Sequence, residues 1–254
     1  MKLGIMQPYF FPHLGYFDLI NLTDHWVVFD TAQFVRHGWM NRNRILHPKE
    51  GWQYITMPVN KHSRDTAVKD IKVSKDPKCR SRILGQIQHY QKKAPYFRQT
   101  HQLVEEVLAV DESSLSRLNA TILGRICSYL EISFEYEFFS EMSMSLGPVE
   151  GPGDWALRIA EALGVTEYVN PPGGARLFDP SKFESLGIKL TIRNLPFMEY
   201  TCGNQEFIPG LSIIDVLMWN PPDKVHDYLQ KHKPWSGDSP QVLCANKLGI
   251  YSLV

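Results

Sequence analysis

Residues 3–30 read LGIMQPYFFPHLGYFDLINLTDHWVVFD. Residues 3–6 are a short apolar run that predicts a buried strand. Residues 7–13 follow as a rigid loop with two prolines, and 15–22 place Phe17 and Ile20 at helical spacing. Residues 26–29 are a second apolar run, stopped by Asp30. Strand, loop, helix and strand in this order make a βαβ unit, whose crossover is almost always right-handed and implies a parallel sheet.

Beyond this unit, 33–45 is irregular and dense in polar groups, and 54–59, 68–73 and 134–138 read as strands. Residues 79–93, 97–110 and 113–130 read as three helices, the third opened by a serine cap. A Gly/Pro-rich break at 147–153 precedes a helix over 155–163 with Asp154 at its start, and then strands at 168–169 and 188–192. Residues 211–219 predict a helix. One short helix is expected after Pro222, in a tail that reads as weakly structured. The expected fold is α/β: a Rossmann-like parallel sheet at the N-terminus with a helical insertion at about 79–131, all within 1–146. A smaller C-terminal α/β portion, 147–254, is expected to pack on the same core.

The 254 residues carry 27 Lys plus Arg and 27 Asp plus Glu, so the formal net charge is zero. A chain that grips a nucleic-acid backbone usually has a basic excess, so nucleic acid is not an expected partner. Cys79, Cys127, Cys202 and Cys244 stand far apart with no metal-ligand spacing, and no metal site is expected. The first residues lack the pattern of a secretory signal, and no apolar stretch approaches the length of a bilayer span. The expected place is the cytoplasm.

Three stretches can carry chemistry. In the first, Gln7, Tyr9, His13, Gly15 and Tyr16 lie where a strand meets a helix, the usual ligand edge of an open α/β sheet. A helix start favours anions, and an imidazole titrates near neutrality, so His13 reads as a phosphate ligand or proton carrier. In the second, Asp30 and Gln33 precede Asn41-Arg42-Asn43-Arg44, whose guanidinium groups suit phosphate or carboxylate. If 41–44 is a strand, the asparagines face one way and the arginines the other. In the third, Asn170, Gly173, Gly174 and Arg176 sit in a loop that can form an anion-binding nest. Asp215 lies amid apolar residues and is either a helix anchor or a site residue.

The runs GIMQPYFFPHLGYFDLI, VVFD, WMNRNRI and LSIIDVLMWN resemble the WbqC-like family in order over about residues 1–220. That family occurs in gene clusters for O-antigen and other bacterial surface polysaccharides. PHLGY is also similar, more distantly, to the H-x-G-H turn of the nucleotidyltransferase superfamily. His13 and Gly15 match that motif, while Tyr16 stands where its second His belongs.

The resemblance implies an enzyme of lipopolysaccharide-type precursor synthesis, an acyltransferase that moves an acyl or aminoacyl group onto the amine of a nucleotide-linked amino sugar. The donor would be a thioester of coenzyme A or of an acyl carrier protein, or ATP would drive activation. His13 or Asp30 is the candidate base. Backbone amides near Gly15 or the Asn41 side chain would meet the oxyanion, and Arg42 and Arg44 would position phosphate. The alternatives are an ATP-dependent carboxylate–amine ligase related to nucleotidyltransferases, and a non-catalytic sugar-nucleotide binding protein. Cys202 has no arranged histidine in sequence and is not expected to act as a nucleophile.

Overall fold

A computed structural model describes residues 1–233. The chain begins with β1 (Lys2–Met6), α1 (Leu14–Leu22) and β2 (His25–Val28). The two strands pair in parallel, Leu3 opposite His25 and Met6 opposite Val28. β3 (Arg42–Leu46) and β4 (Trp52–Thr56) form a separate antiparallel hairpin. Three helices follow, α2 (Lys78–Ile87), α3 (Phe97–Leu108) and α4 (Leu115–Tyr129), and then β5 (Tyr136–Phe138). The chain continues through α5 (Asp154–Ala162), β6 (Glu167–Asn170), α6 (Pro180–Ser185), β7 (Lys189–Ile192), α7 (Ile213–Trp219) and α8 (Pro222–Lys231).

The main sheet has the order β5-β2-β1-β6-β7, and every pairing in it is parallel. The strands from beyond residue 147 therefore join the sheet begun at the N-terminus. The period-2 alternation divides the side chains between two cores, as a sheet covered on both faces requires. Leu3, Ile5 and Val27 face α5 and α6 through Ala156, Ile159 and Phe183. Trp26 and Val28 face the larger core built by α1, α3, α4, α7 and α8. Gly4 is required by that packing: a Cβ there would lie 2.4 Å from Cε3 of Trp26.

The order of strands reverses at β1, with α1 leading to β2 on one side and β6 on the other. The crevice expected there is filled by the protein itself. Residues 7–12 are all buried. Asn119 of α4 donates to the carbonyls of Pro8 (2.8 Å) and Met40 (2.7 Å). The Phe10 amide donates to the Trp39 carbonyl, 2.9 Å. The open edge is thus displaced from the strand ends to the start of α1.

Three local expectations change. Residues 68–73 are not a strand, because their amides go to separate segments: Val68 to Ala32, Lys69 to Asp30 and Val73 to Ser113. A 3-10 turn, Val68–Asp70, and isolated bridges at Lys72 and Val73 form there instead. The helix read over 79–93 is α2 followed by a 3-10 stretch, Gln88–Lys92. Ser114 stands at the start of α4, but its hydroxyl pairs with that of Ser116 and makes no cap. The short helix expected at the start of the tail forms as α8, anchored by buried Val225 and Leu229. The remainder of that expectation, 234–254, lies outside the described residues. No helix among the described residues is long and apolar enough to cross a membrane.

Candidate functional site

A narrow cleft opens where α1 begins. His13 and Gly15 form one side of it. The other walls come from the irregular segment between β7 and α7: Leu195, Phe197, Met198, Tyr200, Phe207 and Leu211. Phe197 is 44% exposed although large and apolar. The interior is therefore an apolar slot ending on an imidazole.

His13 is the N-cap of α1. Its Nδ1 accepts the Gly15 amide at 3.1 Å, and its carbonyl accepts the Tyr16 amide at 3.0 Å. Occupation of Nδ1 as an acceptor leaves the proton of the neutral ring on Nε2. Burial, helped by the nearby Arg44 charge, pushes the His13 pKa down to about 4. This corrects two expectations. At neutral pH the ring is uncharged, so it is a weak base and no imidazolium for phosphate. The Gly15 and Tyr16 amides are engaged by His13 itself, so they are not oxyanion donors.

A tight junction holds this cap in place. Ser212, at the start of α7, donates its hydroxyl to the Phe11 carbonyl (2.7 Å) and its amide to the Arg44 carbonyl (2.8 Å). The Ile213 amide donates to the Pro12 carbonyl, 2.8 Å. Asn43 is buried and donates to the Phe10 carbonyl, 3.1 Å. The Arg44 Nη2 reaches the Gly210 carbonyl at 3.4 Å, so this arginine borders the cleft.

The other expected site residues fall elsewhere. Tyr16 is buried beside Tyr9 and Trp26 and donates its hydroxyl to the Gln7 carbonyl, 2.8 Å. It therefore does not replace a ligand-facing imidazole. Tyr9 is itself buried, and its pKa is pushed up to about 12. Gln7 is buried at the end of β1. Asp30 is buried, and its two oxygens accept the Ser140 amide (2.9 Å) and hydroxyl (2.6 Å), which fastens the turn after β5 and leaves no base facing the cleft. The Asn41 amide donates to the Met57 carbonyl at 3.0 Å and closes the hairpin rather than an oxyanion hole. Gln33 donates to the Arg64 carbonyl, 2.8 Å, on the surface.

The 170–176 loop does not form a nest. Gly173 and Gly174 lie in a 3-10 turn, Pro172–Leu177, and neither adopts the positive φ that a nest alternates. Asn170 is fully buried, taking the Tyr168 hydroxyl at 2.8 Å, and Arg176 is exposed. Cys202 is buried, with its thiol pushed up to about 12 by burial and by Asp215, so it is no nucleophile at neutral pH. No group of three or more His, Cys, Asp or Glu among the described residues is arranged to hold a metal ion.

Asp215 anchors the floor beneath the cleft. It is 0% exposed and accepts hydrogen bonds from the hydroxyls of Tyr90 and of Tyr200, the latter at 2.7 Å. Burial nonetheless raises its pKa from 3.8 to about 6. The native state therefore holds this proton more tightly than the unfolded chain, and the carboxyl costs stability as pH rises from about 4 to about 6. The shift corresponds to about 3 kcal/mol at roughly 1.4 kcal/mol per unit. Asp215→Asn removes that dependence. Urea unfolding at pH 4 and at pH 7 is expected to show the variant gaining about 3 kcal/mol on the parent across the interval. An unchanged difference would refute the assignment.

The sequence pattern of the WbqC-like protein family matches residues 7–227. This chain belongs to that family. The WbqC-like match spans the cap at His13, the hairpin, the cleft walls and α7. The chain is also similar to the uncharacterized protein Rv1507c of Mycobacterium tuberculosis (strain ATCC 25618 / H37Rv), 28% identical over 231 residues, which cover 90% of this chain and 97% of that protein. No solved structure matches the chain.

Proposed function

We propose that this WbqC-like chain transfers an acyl or aminoacyl group to the amine of a nucleotide-linked amino sugar during surface-polysaccharide precursor synthesis. The observation that carries this reading is the apolar cleft ending on a neutral, cap-oriented imidazole. Apolar walls suit the chain of an acyl donor. A neutral Nε2–H suits the oxygen that gains charge as the carbonyl is attacked.

In the step itself the sugar ammonium loses a proton to solvent and its nitrogen attacks a thioester carbonyl. A C–N bond forms, the C–S bond breaks, and the thiolate leaves and takes up a proton. His13 would donate to the oxyanion and Arg44 would favour a nearby anion on the acceptor. Activation of a carboxylate by ATP fits less well, because an uncharged His13 and an inward Tyr16 supply no cation at the turn.

The test is incubation of the full chain with nucleotide-linked amino sugars and coenzyme A or carrier-protein thioesters, followed by mass spectrometry. The expected result is a product heavier by one acyl group, with one free thiol released per product. Pyrophosphate release from ATP dependent on a carboxylic acid would replace this reading with the ligase. Sugar-nucleotide binding without turnover by any donor would replace it with a binding protein.

A further inference from the structure

The outer face of the β3–β4 hairpin holds two guanidinium groups that meet no carboxylate among the described residues. Arg42 and Arg44 share that face, opposite Thr56 and Tyr54, while Asn43 and Ile45 turn into the core. The Arg42 guanidinium lies 4.0 Å from the centre of the Tyr54 ring. The Arg44 guanidinium lies 5.3 Å from Trp39 and 5.2 Å from Trp52. Among the described residues no carboxylate comes within 4 Å of either group, and the seven ion pairs all use other residues. Nε of each arginine is shielded from solvent without an acceptor. His37 beside them holds a left-handed backbone, φ 66°, with its carbonyl taken by Arg42.

Such an arrangement is costly unless something completes it. Taking a cation partly out of water is unfavourable, and aromatic faces offset only part of that. Burial accordingly depresses the Arg44 pKa. An anion seated against both guanidiniums supplies the missing partner. Residues i and i+2 of a strand project from the same face, so two fixed positive charges can meet one polyanion such as a diphosphate. The guanidinium fork matches phosphate oxygens. Trp52 is 41% exposed at the rim of the same face, and a flat, partly open indole beside phosphate-binding groups is a platform for a base.

We propose that this hairpin face binds a nucleoside diphosphate, the diphosphate on Arg42 and Arg44 and the base stacked on Trp52. This deepens the reading above, and rests on it only for the sugar that the diphosphate would carry. Arg44 borders both the hairpin face and the cleft, so a diphosphate seated here places whatever is attached to it toward His13.

Calorimetric titration of the full chain with uridine diphosphate, adenosine diphosphate, pyrophosphate, orthophosphate and uridine tests it. The expected result is that the nucleoside diphosphates bind tightest, pyrophosphate binds more weakly, and orthophosphate and uridine bind at least tenfold more weakly than pyrophosphate. Arg44→Gln should weaken every diphosphate at least tenfold, and Arg44→Lys, which keeps charge and loses the fork, by an intermediate factor. Trp52→Ala should weaken the nucleoside diphosphates at least fivefold and leave pyrophosphate within twofold. Absence of diphosphate binding at millimolar concentration, or binding indifferent to both Arg44 variants with the fold intact by circular dichroism, would overturn the proposal. Diphosphate binding without any acyl transfer leaves it standing and removes the acyltransferase reading. Acyl transfer with diphosphate binding insensitive to Arg44 does the reverse.

Discussion

Arg193→Ala is expected to lower stability by about 3–5 kcal/mol, the usual scale for unpairing a buried charge. Asp18 is fully buried on α1, and Arg193 follows β7. The arginine donates Nε to one carboxylate oxygen at 2.7 Å and Nη2 to the other at 3.0 Å, and it also reaches the His232 carbonyl at the end of α8. Burial raises the Asp18 pKa even with the arginine present. Without that partner the carboxylate is either ionised and alone or protonated at a cost. The pair fixes α1, which carries His13, against the strand that leads into the cleft wall at Leu195. Equilibrium urea unfolding measures the loss. The double change Asp18→Asn with Arg193→Met should recover most of it, because no buried charge then remains. A single-variant loss under about 1 kcal/mol would mean that water already screens the pair.

His13→Ala is expected to reduce kcat for acyl transfer by roughly a hundred- to a thousandfold, the range seen when one preorganised oxyanion donor is removed. KM for the nucleotide-linked sugar should change little, since the hairpin is intact. The pH profile separates donor from base. With a pKa of about 4, His13 stays neutral from pH 5 upward, and kcat/KM should show no ionisation of this residue between pH 6 and 8. A base of ordinary imidazole pKa would instead give a rate that climbs through pH 6.5. A climb that disappears in His13→Ala would restore the general-base role and refute the donor.

The βαβ unit was legible because its signals are local. The apolar runs at 3–6 and 26–29, and helical spacing in 15–22, each point to the element that forms. The opposite faces of Asn43 and Arg42/Arg44 were legible for the same reason, since the period of a strand is two. The cleft was half legible. His13 and Gly15 lie at a recognisable strand-to-helix turn, but the walls from Leu195 to Leu211 have no regular structure and lie far from His13 in sequence. The apolar run Leu195-Pro196-Phe197-Met198 was the available signal. Asp30, Asn41 and Asn170 misled for one physical reason. A buried turn needs fixed acceptors and donors as much as a catalytic site does, and the same residue types supply both.

β1 carries a consequence for the order in which the molecule can assemble. It is the central strand, flanked by β2 on one edge and β6 on the other, and Lys2 pairs with Glu167. One edge finds its neighbour within thirty residues of chain, while the other waits until most of the chain has been made. During synthesis the half-paired edge presents unsatisfied amides and carbonyls beside the apolar Leu3 and Ile5, which is the geometry that recruits foreign strands. A fragment ending at the break around Gly147 would retain that open edge permanently, so the break that punctuates the sequence does not mark an autonomous folding unit. Closure of such distant partners is slow, and the nascent chain is expected to depend on chaperone cover until β6 arrives.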